Sequence, residues 1–79
     1  MEDGIKILAF GITAEILGRK EIVFPFFSGT DELRKYLLDH FPGMEKINYA
    51  IAVNKNMVIA DTKIEAGDEI ALLPPFAGG

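Results

Sequence analysis

Residues 28–43 read SGTDELRKYLLDHFPG, and this stretch decides the fold. Leu33, Leu37 and Phe41 recur at i, i+4 and i+8 with Tyr36 flanking them, which makes one apolar stripe along a helix. Thr30 stands where an N-cap is expected, and Asp31 and Glu32 place negative charge on the first turn, where the helix dipole favours it. Pro42 and Gly43 stop the helix. A helix with a single stripe needs a single apolar sheet face to cover it, so the sequence on either side must supply strands.

It does. IKILAFG (residues 5–11) is rich in β-formers and reads as a first strand, with Ile5, Ile7 and Ala9 on one face and Lys6, Leu8 and Phe10 on the other. ITAEILG (12–18) is a short connection in which Gly18, which enters the left-handed region cheaply, ends a helical turn. KEIVFPFF (20–27) alternates as a second strand, and Pro25, unable to donate a ladder hydrogen bond, puts that strand at a sheet edge. Downstream, YAIAVNK (49–55) is a third strand, and Asn54, Lys55 and Asn56 suit a turn into MVIA (57–60), a fourth. Residues 61–69 are turn-rich, with Gly67-Asp68 marking the entry to EIALL (69–73), the last strand. The order ββαβββ, with one stripe to cover, implies an α+β fold: a β-grasp (ubiquitin-like) mixed sheet of about five strands around one main helix. A ferredoxin-like arrangement would call for a second long apolar stripe, which the sequence lacks. The expected division is a domain over 1–73 and an extended, flexible Gly-Gly tail over 74–79.

Seventy-nine residues allow one domain, and a core this small buries only about 60% of the surface its unfolded chain exposes. The absence of cysteine excludes disulfides, thiolate-bound zinc, iron–sulfur clusters and Cys nucleophiles. Twelve carboxylates against eight Lys or Arg leave a formal charge of −4, which repels a phosphate backbone and an anionic membrane surface and suits a partner with a basic docking face. No apolar run approaches the ~20 residues of a membrane span. The acidic opening MEDGIK runs straight into a strand, so no signal peptide is expected and the cytoplasm is the expected location.

Candidate chemistry inside the domain is sparse. His40, the single histidine, sits near the helix end, where a cation is favoured, and reads as a surface or capping residue. Glu65, Asp68 and Glu69 lack the spacing of a calcium loop and read as a solvated turn, so no metal site is expected. P-loop and dinucleotide fingerprints are absent. The informative stretch is the end, LLPPFAGG (72–79). Pro74 and Pro75 carry no N–H, so the last strand cannot continue as a paired strand. The residues from Pro74 to Gly79 then reach roughly 20 Å when fully extended. Phe76, Ala77, Gly78 and Gly79 follow, and the two glycines can thread a channel too narrow for any other residue. They would present the Gly79 carboxylate to a nucleophile with little steric hindrance.

With that tail in view the sequence resembles a known family, the MoaD-type ubiquitin-like sulfur carriers of the MoaD/ThiS superfamily, the small subunits of molybdopterin synthase. The resemblance is carried by IKILAFG, EILG (15–18), TDELRKYL (30–37), AVN (52–54), GDEIALLPP (67–75) and the final GG, and spans nearly the whole chain. One departure is the pair Phe76-Ala77, where the family usually has a branched aliphatic residue followed by Ser or Thr. The resemblance implies a carrier that is not catalytic alone. An E1-like activating enzyme, using ATP and magnesium, adenylates the Gly79 carboxylate. Sulfur from a persulfide donor displaces AMP to leave a thiocarboxylate, and the tail enters the large synthase subunit, which builds the dithiolene of molybdopterin. No cofactor is expected to stay bound, and a heterotetramer with the large subunit is implied.

A docking surface is also legible. If Ile5, Ile7, Ile70 and Leu72 point to the helix, then Leu8, Phe10, Ala71 and Leu73 point away from it. In a β-grasp sheet the first and last strands are neighbours, so these four make one apolar patch beside the tail. Three other readings of the same residues are a related carrier for thiamine, cysteine or tRNA thiolation, a protein modifier joined to target lysines, and an interaction module with an inert tail.

Overall fold

The structure, a computed structural model, describes residues 4–24 and 27–74. Its elements in chain order are β1 (Ile5–Ala9), α1 (Ile12–Leu17), β2 (Glu21–Phe24), α2 (Thr30–His40), a 3-10 helix (Pro42–Lys46), β3 (Ala50–Val53), β4 (Asn56–Val58) and β5 (Glu69–Leu73). The strands form one mixed sheet in the order β2-β1-β5-β3-β4. β1 and β5 run parallel at its centre, from Lys6↔Glu69 to Ala9↔Leu72, and the other neighbours pair antiparallel. This is the β-grasp arrangement, and β2 lies at the edge where the proline-bearing strand was expected.

The sheet has a period of two in burial, and that period selects the face α2 covers. Ile5, Ile7 and Ala9 of β1 and Ile70 and Leu72 of β5 are buried, and α2 buries Leu33 and Leu37 in the same cluster with Ile51, Met44 and Ile64. Each such Leu or Ile contributes about 1.5–3 kcal/mol relative to an exposed position, which is how a short chain sustains a core. A cluster of Phe24, Phe27, Tyr36 and Phe41 closes the β2 end of this core, with Tyr36 packed edge-on to Phe24 at 5.2 Å between ring centroids.

Several local expectations are corrected. Thr30 is not the N-cap. Gly29 takes that place with extended backbone, and Thr30 is buried as the first helical residue. The Thr30 hydroxyl oxygen accepts the Thr62 N–H at 2.9 Å, and the Thr30 N–H donates to the Thr62 carbonyl at 2.9 Å, so this side chain ties α2 to the 61–64 loop. The first turn is capped from a distance: Asp61 Oδ1 accepts the Asp31 N–H at 3.0 Å. A Cβ on Gly29 would stand 2.8 Å from that same oxygen, so a larger residue there would have to displace the Asp61 carboxylate. Phe41 lies just past α2 with φ −133° and does not extend the helical stripe. Pro42 does more than stop α2, since it begins the 3-10 helix that buries Met44.

Strand limits also differ from the sequence reading. β1 ends at Ala9 because the backbone turns at Phe10-Gly11 into α1, which Gly18 closes at φ 83° with its N–H on the Ala14 carbonyl at 2.8 Å. The third strand covers only Ala50–Val53, because Asn54 and Lys55 both adopt positive φ, 50° and 72°. That is the two-residue turn whose twist matches an antiparallel hairpin, and β4 accordingly starts at Asn56.

Candidate functional site

The face of the sheet turned away from α2 carries the expected patch. Cross-strand register aligns Leu8 with Ala71, Ala71 with Ala52 and Ala52 with Met57, so four strands contribute to one row. Leu73 lies two residues further along β5 beside Ala50. Leu8, Ala71 and Leu73 are half-buried, and Phe10 is 47% exposed. Register therefore places Leu8, Ala71 and Leu73 on one face, and Phe10 follows one residue past the end of β1. The structure adds Met57, 63% exposed, with Ala50 and Ala52 between it and β5. Met57 escaped the sequence reading because its face depends on where the hairpin turn falls. The Asn54-Lys55 dipeptide was the signal that could have placed it.

Charged residues lie along this face as well. Lys6 and Glu69 pair where β1 and β5 begin, and Glu21, opposite Leu8 in the antiparallel β1–β2 register, has its Oε2 3.5 Å from Lys6 Nζ. This exposed pair contributes little to stability. Because β1 and β5 are parallel, both finish at the opposite end, where Phe10 and Leu73 sit and the chain leaves the sheet at Pro74. Phe10 and Leu73 therefore lie at the end of the sheet from which the chain departs. A shallow cleft beside Phe10 is lined by Leu8, Ala9 and Ala14, with Lys20 and Glu21 at its polar side. Pro74 is partly buried near Gly11. The other tail residues singled out by the sequence, Pro75, Phe76, Ala77, Gly78 and Gly79, lie outside the described residues.

The remaining candidates have structural partners. His40 is exposed, its Nδ1 is 3.1 Å from the Tyr36 carbonyl, and its ring stacks on Tyr36 at 4.1 Å. Asp68 holds a turn: its Oδ2 accepts the Glu65 N–H at 2.8 Å and its Oδ1 accepts the Asn54 side-chain amide at 3.0 Å. Asn54 Oδ1 in turn accepts the Glu69 N–H at 3.0 Å. Among the described residues no group of three or more His, Asp or Glu is placed to hold a metal ion. Tyr49 has its phenol pushed above the usual 10.0 by burial, with the charge and hydrogen bond of Arg34 opposing the shift. The Arg34 guanidinium lies over the Tyr49 ring at 5.2 Å, so the pair joins α2 to the start of β3. What the exposed face offers is an apolar surface near the point where the chain leaves the sheet.

Comparison with known proteins identifies the family and the fold. Residues 7–79 match the model of the ThiS family. The molybdopterin synthase sulfur carrier subunit of Caenorhabditis elegans is 33% identical over 81 residues, covering 95% of this chain and 96% of the relative. SAMP1 from Haloferax volcanii has the same fold, with a TM-score of 0.79 at 20% identity over 96% of this chain and 99% of that one. A chain in the protein–protein complex of subunit 1 and 2 of molybdopterin-converting factor from Helicobacter pylori 26695 has a TM-score of 0.70 at 28% identity, over 96% of this chain and 99% of that one.

Proposed function

Because the chain belongs to the ThiS family, we propose that it is the sulfur carrier subunit of a molybdopterin synthase. The observation that carries this reading is that the family match extends to Gly79, so the tail is included with the fold. The apolar face beside the tail's point of departure supports it, because a carrier must be gripped close to the end that reacts. The C. elegans relative carries that name.

In this reading the Gly79 carboxylate attacks the α-phosphorus of ATP on an E1-like activating enzyme, with magnesium there, and pyrophosphate leaves. The acyl adenylate is then open to sulfur. The terminal sulfur of a persulfide, brought to the level of sulfide by a second thiol, bonds to the Gly79 carbonyl carbon as AMP departs. The resulting thiocarboxylate enters the large synthase subunit on the tail. There its sulfur passes to the pterin precursor, and water restores the carboxylate. The small subunit supplies the reagent and the docking face, while the partners supply the acids, bases and nucleotide site. The formal charge of −4 favours partners with basic docking faces. A heterotetramer with the large subunit, acting in the cytoplasm, completes the proposal.

Intact mass spectrometry of the chain coexpressed with its activating enzyme tests the chemistry. One oxygen replaced by one sulfur at the C-terminus is the expected result. An unchanged mass in sulfur-replete cells contradicts the reading, and higher-mass ladders on denaturing gels would mark a protein modifier instead.

The docking face gives a separate expectation. Leu73→Glu and Met57→Glu each place a charge in the apolar row, and each is expected to weaken association with the large subunit by about 2 kcal/mol or more. Neither side chain belongs to the buried core, so the urea midpoint should move little. Titration of the two subunits by calorimetry checks this, and unchanged affinity in both variants removes the face from the interface.

A further inference from the structure

The place where β5 becomes the tail is held by two residues that lie outside the apolar row, and we infer that Gly11 and Thr13 are positioning residues that set the direction in which the chain leaves at Pro74. The inference rests on the sulfur-carrier reading, in which the tail carries the reacting carbon.

The parallel ladder between β1 and β5 includes the Lys6 N–H donating to the Asp68 carbonyl at 3.2 Å. Continued with its period of two, the ladder would bring the Phe10 N–H to the Leu72 carbonyl. That rung is replaced. The Phe10 N–H donates to Thr13 Oγ1 at 2.9 Å, and the Thr13 hydroxyl lies 2.6 Å from the Phe10 carbonyl and 3.3 Å from the Leu72 carbonyl. Thr13 is fully buried. Its hydroxyl thus spans the gap that opens where β1 leaves the sheet to enter α1, and it keeps the last buried residue of β5 tied to the start of that helix.

Gly11 completes the arrangement. It has φ +56° and ψ −130°, a backbone conformation that suits glycine, and a Cβ there would stand 3.0 Å from Pro74 Cγ. On the other side Leu73 is in register with Ala50 of β3. Pro74 has no N–H with which to join a ladder, so its direction depends on ring packing and on the residues just before it. That direction matters through leverage: a swing of about 10° at Pro74 displaces the end of a fully extended six-residue tail by about 3.5 Å.

The test compares two glycines that flank the same helix. Gly11 and Gly18 both have positive φ, but a Cβ on Gly18 would meet nothing within 4 Å. Adenylation of the full-length chain by its activating enzyme is followed as pyrophosphate release, with the folded fraction fixed by urea denaturation. Gly11→Ala is expected to lower kcat about tenfold and to leave KM within about twofold, because the docking face is untouched. Gly18→Ala should lower the urea midpoint while leaving both constants alone. Pro74→Ala, which carries no strain at position 11, should lower kcat about threefold. The double variant should be no worse than Gly11→Ala alone, since the two changes act through one contact. Hydrogen exchange at the Leu73 amide gives a readout without the enzyme: it should accelerate in Gly11→Ala and not in Gly18→Ala.

Wild-type kcat in Gly11→Ala, an equal loss in Gly18→Ala, a multiplicative double variant or unchanged Leu73 exchange each overturns the positioning role. If the wild-type chain itself is not adenylated, the sulfur-carrier reading fails and the positioning role falls with it. If the wild type is adenylated and Gly11→Ala matches it, only the positioning role is lost.

Discussion

Deletion of Gly79 is expected to abolish the proposed exchange of oxygen for sulfur at the C-terminus, and addition of one alanine beyond it is expected to do the same. Both expectations follow from reach. One residue of extended chain spans about 3.3–3.6 Å, whereas reacting atoms must approach to about 3–3.5 Å in line to react. A carboxylate moved by a whole residue is therefore outside the geometry of the activating site, and the loss is to background. A longer tail also replaces the glycyl carbonyl with one flanked by a methyl group. The fold should be indifferent to either change, because the core formed by the described residues runs from Ile5 to Leu72. Intact mass after coexpression, beside a circular dichroism melt identical to that of the wild type, is the measurement. A sulfur-loaded protein in either variant would show that the last carbonyl is not the chemical handle.

The second large effect is on stability. Leu37→Ala should remove about 3–4 kcal/mol, within the range for a buried Leu truncated in a packed core. Leu37 is fully buried, and with Leu33 it forms the apolar stripe by which α2 is held in the core. A domain this small has a total stability near the lower end of about 5–15 kcal/mol, so the variant stands close to its unfolding midpoint at 25 °C. Urea denaturation should show the midpoint falling by more than half with the slope nearly unchanged. A loss below about 1 kcal/mol would mean the helix is not the lid of the core. Leu38, exposed one residue further along α2, serves as the contrast, since Leu38→Ala leaves the core intact.

Much of the fold was legible because its signals are local. The period of two in residues 5–9 and 69–73 marks strands, and the i, i+4 recurrence of Leu33 and Leu37 marks the helix between them. The capping of α2 was not legible. Thr30 has the chemistry of an N-cap, but its hydroxyl oxygen accepts the N–H of Thr62, thirty-two residues away, and Asp61 performs the capping. Phe41 continues the helical spacing, yet Pro42 disfavours the helical conformation in the residue before it, and Phe41 lies beyond the last turn.

The exposed apolar face divides the same way. Leu8, Ala71 and Leu73 were available from alternation alone, because a side chain's face on a strand depends only on its parity. Met57 required the hairpin register to be known, and that register follows from the positive φ of Asn54 and Lys55.

By itself the sequence determined the strand–helix order, the covered face of the sheet and a tail of Pro, Pro, Phe, Ala, Gly and Gly, since these depend on side-chain chemistry and short-range periodicity. Tertiary structure alone decided that β1 and β5 lie parallel, so that Phe10 and Leu73 end together. It also decided that Gly11 and Thr13 meet the root of that tail across a separation of some sixty residues. Contacts of that span leave no period in the chain, because the entropy of closing so long a loop is met by the whole core and not by any local motif.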